Sequence, residues 1–338
     1  MIQVLRLFTT QVLDAKGGAP PWGDDAFLLL TRLDSQDNIA FIHWGNLLGE
    51  LAQLTAQKDP KAAQDLFHQA FEKYQKAIGI KPDFHEAFYN WGSHLGNLAQ
   101  LIAQKTPKAA QDLFHQAFEK YQKAVGIKPD NHEAFYNWGS HLGNLAQLIA
   151  QKDTKVAQDL FNQVFEKYQR AVRIKPDFHD AFYNWGNDLG NLAQLTAQKD
   201  PKAAQGLFHQ AFEKYQKAIG IKPDFHDAFY NWGNVLGILA ELIAQKDPKA
   251  AQDLLHQAFE KYQKAVGIKP DYHKAFNNWG SDLALLAILV WPEGKKAAAK
   301  RFGEAEKRFR EAISLAPEKE TYRRNLATIL NRWAAKLE

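Results

Sequence analysis

The sequence predicts an all-α chain: paired helices repeated along one axis as an α-solenoid, with a helical segment closing each end. Three observations carry this prediction. A Trp-Gly pair recurs as Trp44-Gly45, Trp91-Gly92, Trp138-Gly139, Trp185-Gly186, Trp232-Gly233 and Trp279-Gly280, always 47 residues apart. Proline keeps the same period at Pro82, Pro129, Pro176, Pro223, Pro270 and Pro317. Between these markers apolar residues return at helical spacing, as do Phe88, Trp91, Leu95, Ala99 and Ile102. Self-similarity at such a period signals a stacked array, in which each unit buries its apolar face only against its neighbours. The 338 residues alone would suggest two or three globular domains, and the repetition overrides that prior.

Residues 1–37 read as an N-terminal cap with a degenerate half-repeat. Residues 1–15 suit an amphipathic helix, and Gly17, Gly18, Pro20 and Pro21 break the chain after it. Residues 24–34 align as the end of a second helix, with Phe27 under Tyr74 and Leu33 under Ile80. Six repeats follow, at 38–84, 85–131, 132–178, 179–225, 226–272 and 273–317. In the second, Asp83 and Glu86 have capping-box spacing, and a first helix A extends to about Gln104. Gly92 and Gly96, four residues apart, open a place for close approach that offsets the helical cost of glycine. Lys105-Thr106-Pro107 turns the chain, with proline favoured where a helix starts. A second helix B then reaches about Ile127, with Leu113, Phe114, Ala117, Phe118, Tyr121 and Ala124 at core spacing. The sixth repeat drifts: it breaks at Trp291-Pro292-Glu293-Gly294 and its helix B is richer in charge. Residues 318–338 then form a C-terminal capping helix, with Leu326, Ala327 and Leu330 aligned under Trp91, Gly92 and Leu95.

Composition narrows the function. The net charge is +4, and basic and acidic residues alternate in every repeat, so no basic stripe forms to follow a phosphate backbone. Nucleic acid is excluded as the expected partner. With no cysteine there is neither a disulfide framework nor a thiolate metal site. The longest apolar run, 283–291, is too short to span a bilayer, and the N-terminus lacks the pattern of a signal peptide. The expectation is a cytoplasmic protein with no membrane partner.

The repeat resembles the tetratricopeptide (TPR) motif. Phe88, Trp91, Gly92 and Leu95 match that family's aromatic, large, small and large positions in helix A. Ala117, Tyr121 and Ala124 match helix B, and Pro129 matches the closing proline. The match recurs over residues 38–317. Two features depart from the family: Trp stands where it usually has Leu, and the period is 47 rather than 34 residues. Shared between two antiparallel helices, the surplus adds close to two turns to each, or roughly 10 Å per arm. Leu101, Ile102, Ala109 and Ala110 continue the apolar pattern, so long helices are expected and not an inserted loop.

The resemblance implies a right-handed solenoid whose concave groove is lined by helix A. The side of helix A opposite Trp91 presents Tyr89, Asn90, Ser93, Asn97, Gln100 and Gln104. The next two repeats give Tyr136, Asn137, Ser140, Asn144, Gln147 and Gln151, then Tyr183, Asn184, Asn187, Asn191, Gln194 and Gln198. The fifth gives Tyr230, Asn231, Asn234, Ile238 and Glu241, and the sixth Asn277, Asn278, Ser281, Leu285 and Ile288. Amides donate and accept, which suits the backbone of a bound peptide, and tyrosine adds broad contact surface. A second reading is that these rows only solvate an inner face. The apolar entries at the C-terminal end read either as an anchor for a partner or as residues the closing helices cover. Family members that clamp a terminal carboxylate use groove lysine or arginine, and these rows have neither.

Histidines repeat at His85, His132, His179, His226 and His273, and again at His68, His115, His209 and His256. Copies a whole repeat apart form rows, not a ligand cluster, so no metal and no cofactor are expected. A catalytic site needs unique residues in unique roles, which near-identical copies do not supply. The expected function is therefore a non-catalytic scaffold that binds a protein or peptide in its groove. The alternatives are a regulatory module of a larger effector system, such as one partnered with a peptidase or signalling domain, and a structural rod that self-associates through its ends. The oligomeric state and the partner's identity stay open.

Overall fold

The computed structural model describes residues 28, 29, 31 and 34–337. The expected helix over 1–15, the Gly/Pro break and most of the half-repeat at 24–34 lie outside the described residues. Two compact units are present, Met1–Pro176 and Asp177–Glu338. In the first, α1 (Asn38–Thr55) pairs with α2 (Pro60–Ile80), α3 (His85–Ile102) with α4 (Pro107–Ile127), and α5 (His132–Ile149) with α6 (Thr154–Ile174). In the second, α7 (His179–Ala197) pairs with α8 (Pro201–Ile221), α9 (His226–Ile243) with α10 (Pro248–Ile268), and α11 (His273–Leu289) with α12 (Lys295–Leu315). A single helix, α13 (Glu320–Leu337), follows. No strand occurs among the described residues. Within each unit a second helix also meets the next first helix, and successive first helices touch.

The surplus of the period lies in regular helix. First helices run from 17 to 19 residues and second helices are 21 long. Second helices start with proline as the sequence predicts, at Pro60, Pro107, Pro201 and Pro248. The structure adds caps: Asp59, Asp153, Asp200 and Asp247 accept hydrogen bonds from first-turn N–H groups. First helices differ from expectation. Phe84, Phe178, Phe225 and Tyr272 occupy the cap position and make no side-chain cap bond, so Asp83 and Glu86 do not form a capping box. Only Asp37 and Asn131 cap among these six helices. The aromatic ring has another use. Phe225 lies 5.2 Å from the His179 ring and 4.9 Å from Tyr183, and Tyr272 lies 5.2 Å from His226 and 5.0 Å from Tyr230. Burying an aromatic surface offsets the ~1 kcal/mol that a cap supplies.

The Trp-Gly pair is the hinge of each hairpin's packing. Its glycine gives room to a fully buried aromatic ring of the second helix: a Cβ on Gly45 would stand 2.7 Å from Tyr74, one on Gly233 2.8 Å from Tyr262, and one on Gly280 2.9 Å from Phe309. The tryptophan lies between neighbouring hairpins. Lys120 of its own hairpin holds Nζ 3.9 Å from the Trp91 ring, while Phe71 of the preceding second helix stacks 6.3 Å away. Trp232 repeats this with Lys261 at 4.0 Å and Phe212 at 6.3 Å, and Trp279 with Arg308 at 3.8 Å and Phe259 at 6.3 Å.

Candidate functional site

All sixteen anticipated groove residues lie on first helices and are half-buried: Tyr89, Asn90, Ser93 and Asn97 on α3; Tyr136, Asn137, Ser140 and Asn144 on α5; Tyr183, Asn184, Asn187 and Asn191 on α7; and Tyr230, Asn231, Asn234 and Ile238 on α9. Much of their polarity is spent between repeats. Asn137 donates through Nδ2 to the Tyr89 hydroxyl at 3.0 Å. Asn231 donates to Tyr183 at 2.8 Å and to Asn187 Oδ1 at 2.9 Å, and Asn278 donates to Tyr230 at 3.1 Å and to Asn234 at 2.9 Å. Burial pushes the Tyr230 phenol up to about 12 and raises that of Tyr89 as well, so both stay neutral donors or acceptors. The amide-and-tyrosine row is therefore a cross-repeat ladder with one flank open to solvent.

Behind this row lies a layer that the sequence reading missed. His94 and His141 point from α3 and α5 into the preceding hairpin and are only 7% and 5% exposed. His94 Nδ1 is 2.9 Å from the Tyr74 hydroxyl, and His141 Nδ1 is 3.1 Å from that of Tyr121. Burial lowers both imidazoles to about 4. The second glycine of helix A makes the space: a Cβ on Gly49 or Gly96 would overlap the His94 or His141 ring. In the second unit the same position holds Val235 opposite Gly190 and Asp282 opposite Gly237. Asp282 accepts from the Tyr262 hydroxyl at 3.0 Å, and burial lifts its carboxyl to about 8. Glycines spaced 45 residues ahead of these positions were the available signal.

The apolar residues at the C-terminal end of the rows border a cleft of ≈ 380 Å³ within the second unit. Ile238, Leu285 and Ile288 line it together with Thr328, Ile329 and Arg332 of α13. Asn234, Asn278 and Asn325 line it with amides, and Glu241 stands at its edge. The closing helix α13 flanks these side chains and leaves a cleft beside them. Arg332 also brings a cation that the rows themselves lack. Among the described residues no group of three or more His, Asp or Glu could hold a metal ion, and no helix is long and apolar enough to cross a membrane.

Comparison with known proteins fits this architecture. The chain of a TPR repeat-containing protein from Cytophaga hutchinsonii superposes with a TM-score of 0.56 at 14% identity, over 96% of this chain and 99% of that one. YrrB, described as a TPR protein with an unusual peptide-binding site, gives 0.42 at 21% identity, over 75% and 96%. PilF of Pseudomonas aeruginosa gives 0.43 at 15%, over 87% and 100%. At 14% identity the likeness to the Cytophaga chain is one of fold. No curated protein sequence matches the chain. The model of one family, described as the plant-specific mitochondrial import receptor subunit TOM20, matches three times in succession, over residues 31–135, 127–229 and 222–332. Each match takes about two hairpins, and together they reach from the first repeat into the last helix. With the helical pairs of the TPR fold and a family match along nearly its whole length, the chain belongs to the TOM20 family of plant-type import receptor subunits.

Proposed function

We propose that this protein is a non-catalytic receptor scaffold that holds a segment of a client protein against its first helices. The observation that carries the reading is the cleft between α9, α11 and α13, where aliphatic walls and amide groups face one another across a space of ≈ 380 Å³. Apolar anchors give affinity in such a site, and a few convergent polar groups fix orientation. The family's description as an import receptor subunit supports a client that is itself a protein. The rows Tyr89 to Asn97, Tyr136 to Asn144 and Tyr183 to Asn191 serve as a further contact surface in this proposal. A cytoplasmic location is part of it, and the family's name adds a mitochondrial setting.

The test uses fluorescein-labelled synthetic peptides of one composition, with leucines at i and i+4 in one and scrambled in the other. Binding anisotropy is measured for the full chain and for Ile238→Asp combined with Leu285→Asp. A tenfold or greater loss for the patterned peptide, with helicity unchanged, supports the cleft. Equal binding by wild type and variant removes it as the client site.

A further inference from the structure

In the first unit the first-helix cap that follows the second repeat's hairpin is not aromatic, and a hollow lies beside it. At the cap position of first helices the chain carries Phe84, Asn131, Phe178, Phe225 and Tyr272. In the second unit these rings sit over the preceding first helix: Phe225 over His179 and Tyr183, Tyr272 over His226 and Tyr230. Tyr272 meets His226 edge-on at 84°, and its hydroxyl donates to Asp227 Oδ1 at 2.6 Å. Asn131 departs from this aromatic series, as Asp37 does at the start of the first repeat, and Asn131 is the one that follows a complete repeat. Its short side chain turns back to accept from the Ala134 N–H at 3.0 Å. It thus leaves uncovered the place where a ring would lie on His85 and Tyr89. That place belongs to a hollow of ≈ 410 Å³ lined by His85, Glu86, Tyr89, Asn131, His43 and Asn46, among others. His85 Nδ1 is buried there without a hydrogen-bond partner.

We propose that this hollow is a binding site for a tyrosine side chain carried by a partner protein. The chain's own Tyr272 is the template. Three repeats earlier, His85 stands where His226 does, Tyr89 where Tyr230 does, and Glu86 where Asp227 does. An incoming phenol ring packs edge-on against His85 and tilted against Tyr89, and its hydroxyl donates to the Glu86 carboxylate. That last contact separates tyrosine from phenylalanine, because the acceptor is otherwise unused by the ring. The pocket stands apart from the cleft of the second unit. Only its occupant being part of a protein rests on the scaffold reading above.

N-acetyl-L-tyrosinamide and N-acetyl-L-phenylalaninamide are the probes, titrated into full-length protein labelled with ¹³C at histidine. The tyrosine probe is expected to shift the His85 side-chain signals saturably and to bind severalfold more tightly than the phenylalanine probe. Asn131→Tyr fills the hollow with the ring found at position 272 and abolishes the shift. Asn131→Ala, which loses the cap and leaves the hollow open, keeps it. Glu86→Ala removes the preference for the hydroxyl. Ile238→Asp with Leu285→Asp leaves all of this unchanged, so the pocket and the cleft stand or fall separately. No saturable shift, or a shift that survives Asn131→Tyr, overturns the site; equal affinity for both probes overturns its assignment to tyrosine.

Discussion

Acid should loosen the first unit through two side chains, His94 and His141. Each imidazole is buried between hairpins, with the Tyr74 or Tyr121 hydroxyl on Nδ1 and a phenylalanine ring, Phe67 or Phe114, about 6 Å away at 5.9 and 6.1 Å. Tyr74 already donates to Asn46 Oδ1 at 2.7 Å, so its oxygen receives the Nδ1 proton of a neutral imidazole. A second proton would be placed in a buried setting. The folded value of about 4 lies below the usual 6.5. Between those values the unfolded chain binds more protons than the folded one, so stability is complete above about pH 6.5 and falls as pH drops towards 4. Each histidine then removes about 2 kcal/mol at pH 5 and ~3 kcal/mol once both states are protonated. The control is written in the chain, which uses Val235 at the same position. In His94→Val with His141→Val, the difference in denaturant stability between pH 7 and pH 5 should shrink by roughly 4 kcal/mol. Guanidinium titrations followed by tryptophan fluorescence measure this, and the histidine C2 proton signals give the two ionisations directly. An unchanged acid limb in the double variant, or ionisation of both imidazoles near 6.5, would refute the reasoning.

Three further outcomes follow from the same packing. Gly96→Ala should lower the melting temperature markedly, because its Cβ overlaps the His141 ring and overpacking costs about 1–3 kcal/mol. Gly126→Ala, with nothing within 4 Å, should instead gain roughly 0.5–1 kcal/mol, and equal melting temperatures for the two would contradict the fit. Lys120→Met keeps the stem over Trp91 and loses the charge. A loss of about 0.5–1 kcal/mol in denaturant midpoint is expected, and no loss would assign that contact to packing alone. Asp282 keeps its proton in the folded state from about its usual 3.8 up to about 8, so its contribution is greatest in acid and is lost as pH rises through 8. Asp282→Asn should therefore gain stability relative to wild type between pH 5 and pH 9, and a constant difference across that range would show a carboxyl of ordinary acidity.

What the sequence discloses here is whatever all copies share. The period, the hairpin, the proline starts of second helices and the tryptophan between neighbouring hairpins each recur in most copies, so spacing alone exposes them. The long helices were legible for the same reason, since Leu101 and Ala110 extend faces already defined by Leu95 and Ala117. Relations that cross from one copy to the next escape such a reading. Asn137 reaches Tyr89 over 48 positions, a pairing that a wheel drawn on one helix cannot contain. The capping box failed through a one-residue shift, because the aromatic after Asp83 gains more by burial than the carboxylate gains at the helix end. Variation between copies hides still more. Position 94 is histidine, then histidine, aspartate, valine and aspartate in later repeats, which looks like tolerance. Yet a glycine stands 45 residues before each, and at Gly49, Gly96, Gly190 and Gly237 the space is kept while its occupant changes. The fold is thus carried by what repeats, and any capacity to discriminate partners must reside in what does not: the plug missing at Asn131, the aliphatic pair Ile238 and Leu285, and the Arg332 that only the last helix supplies.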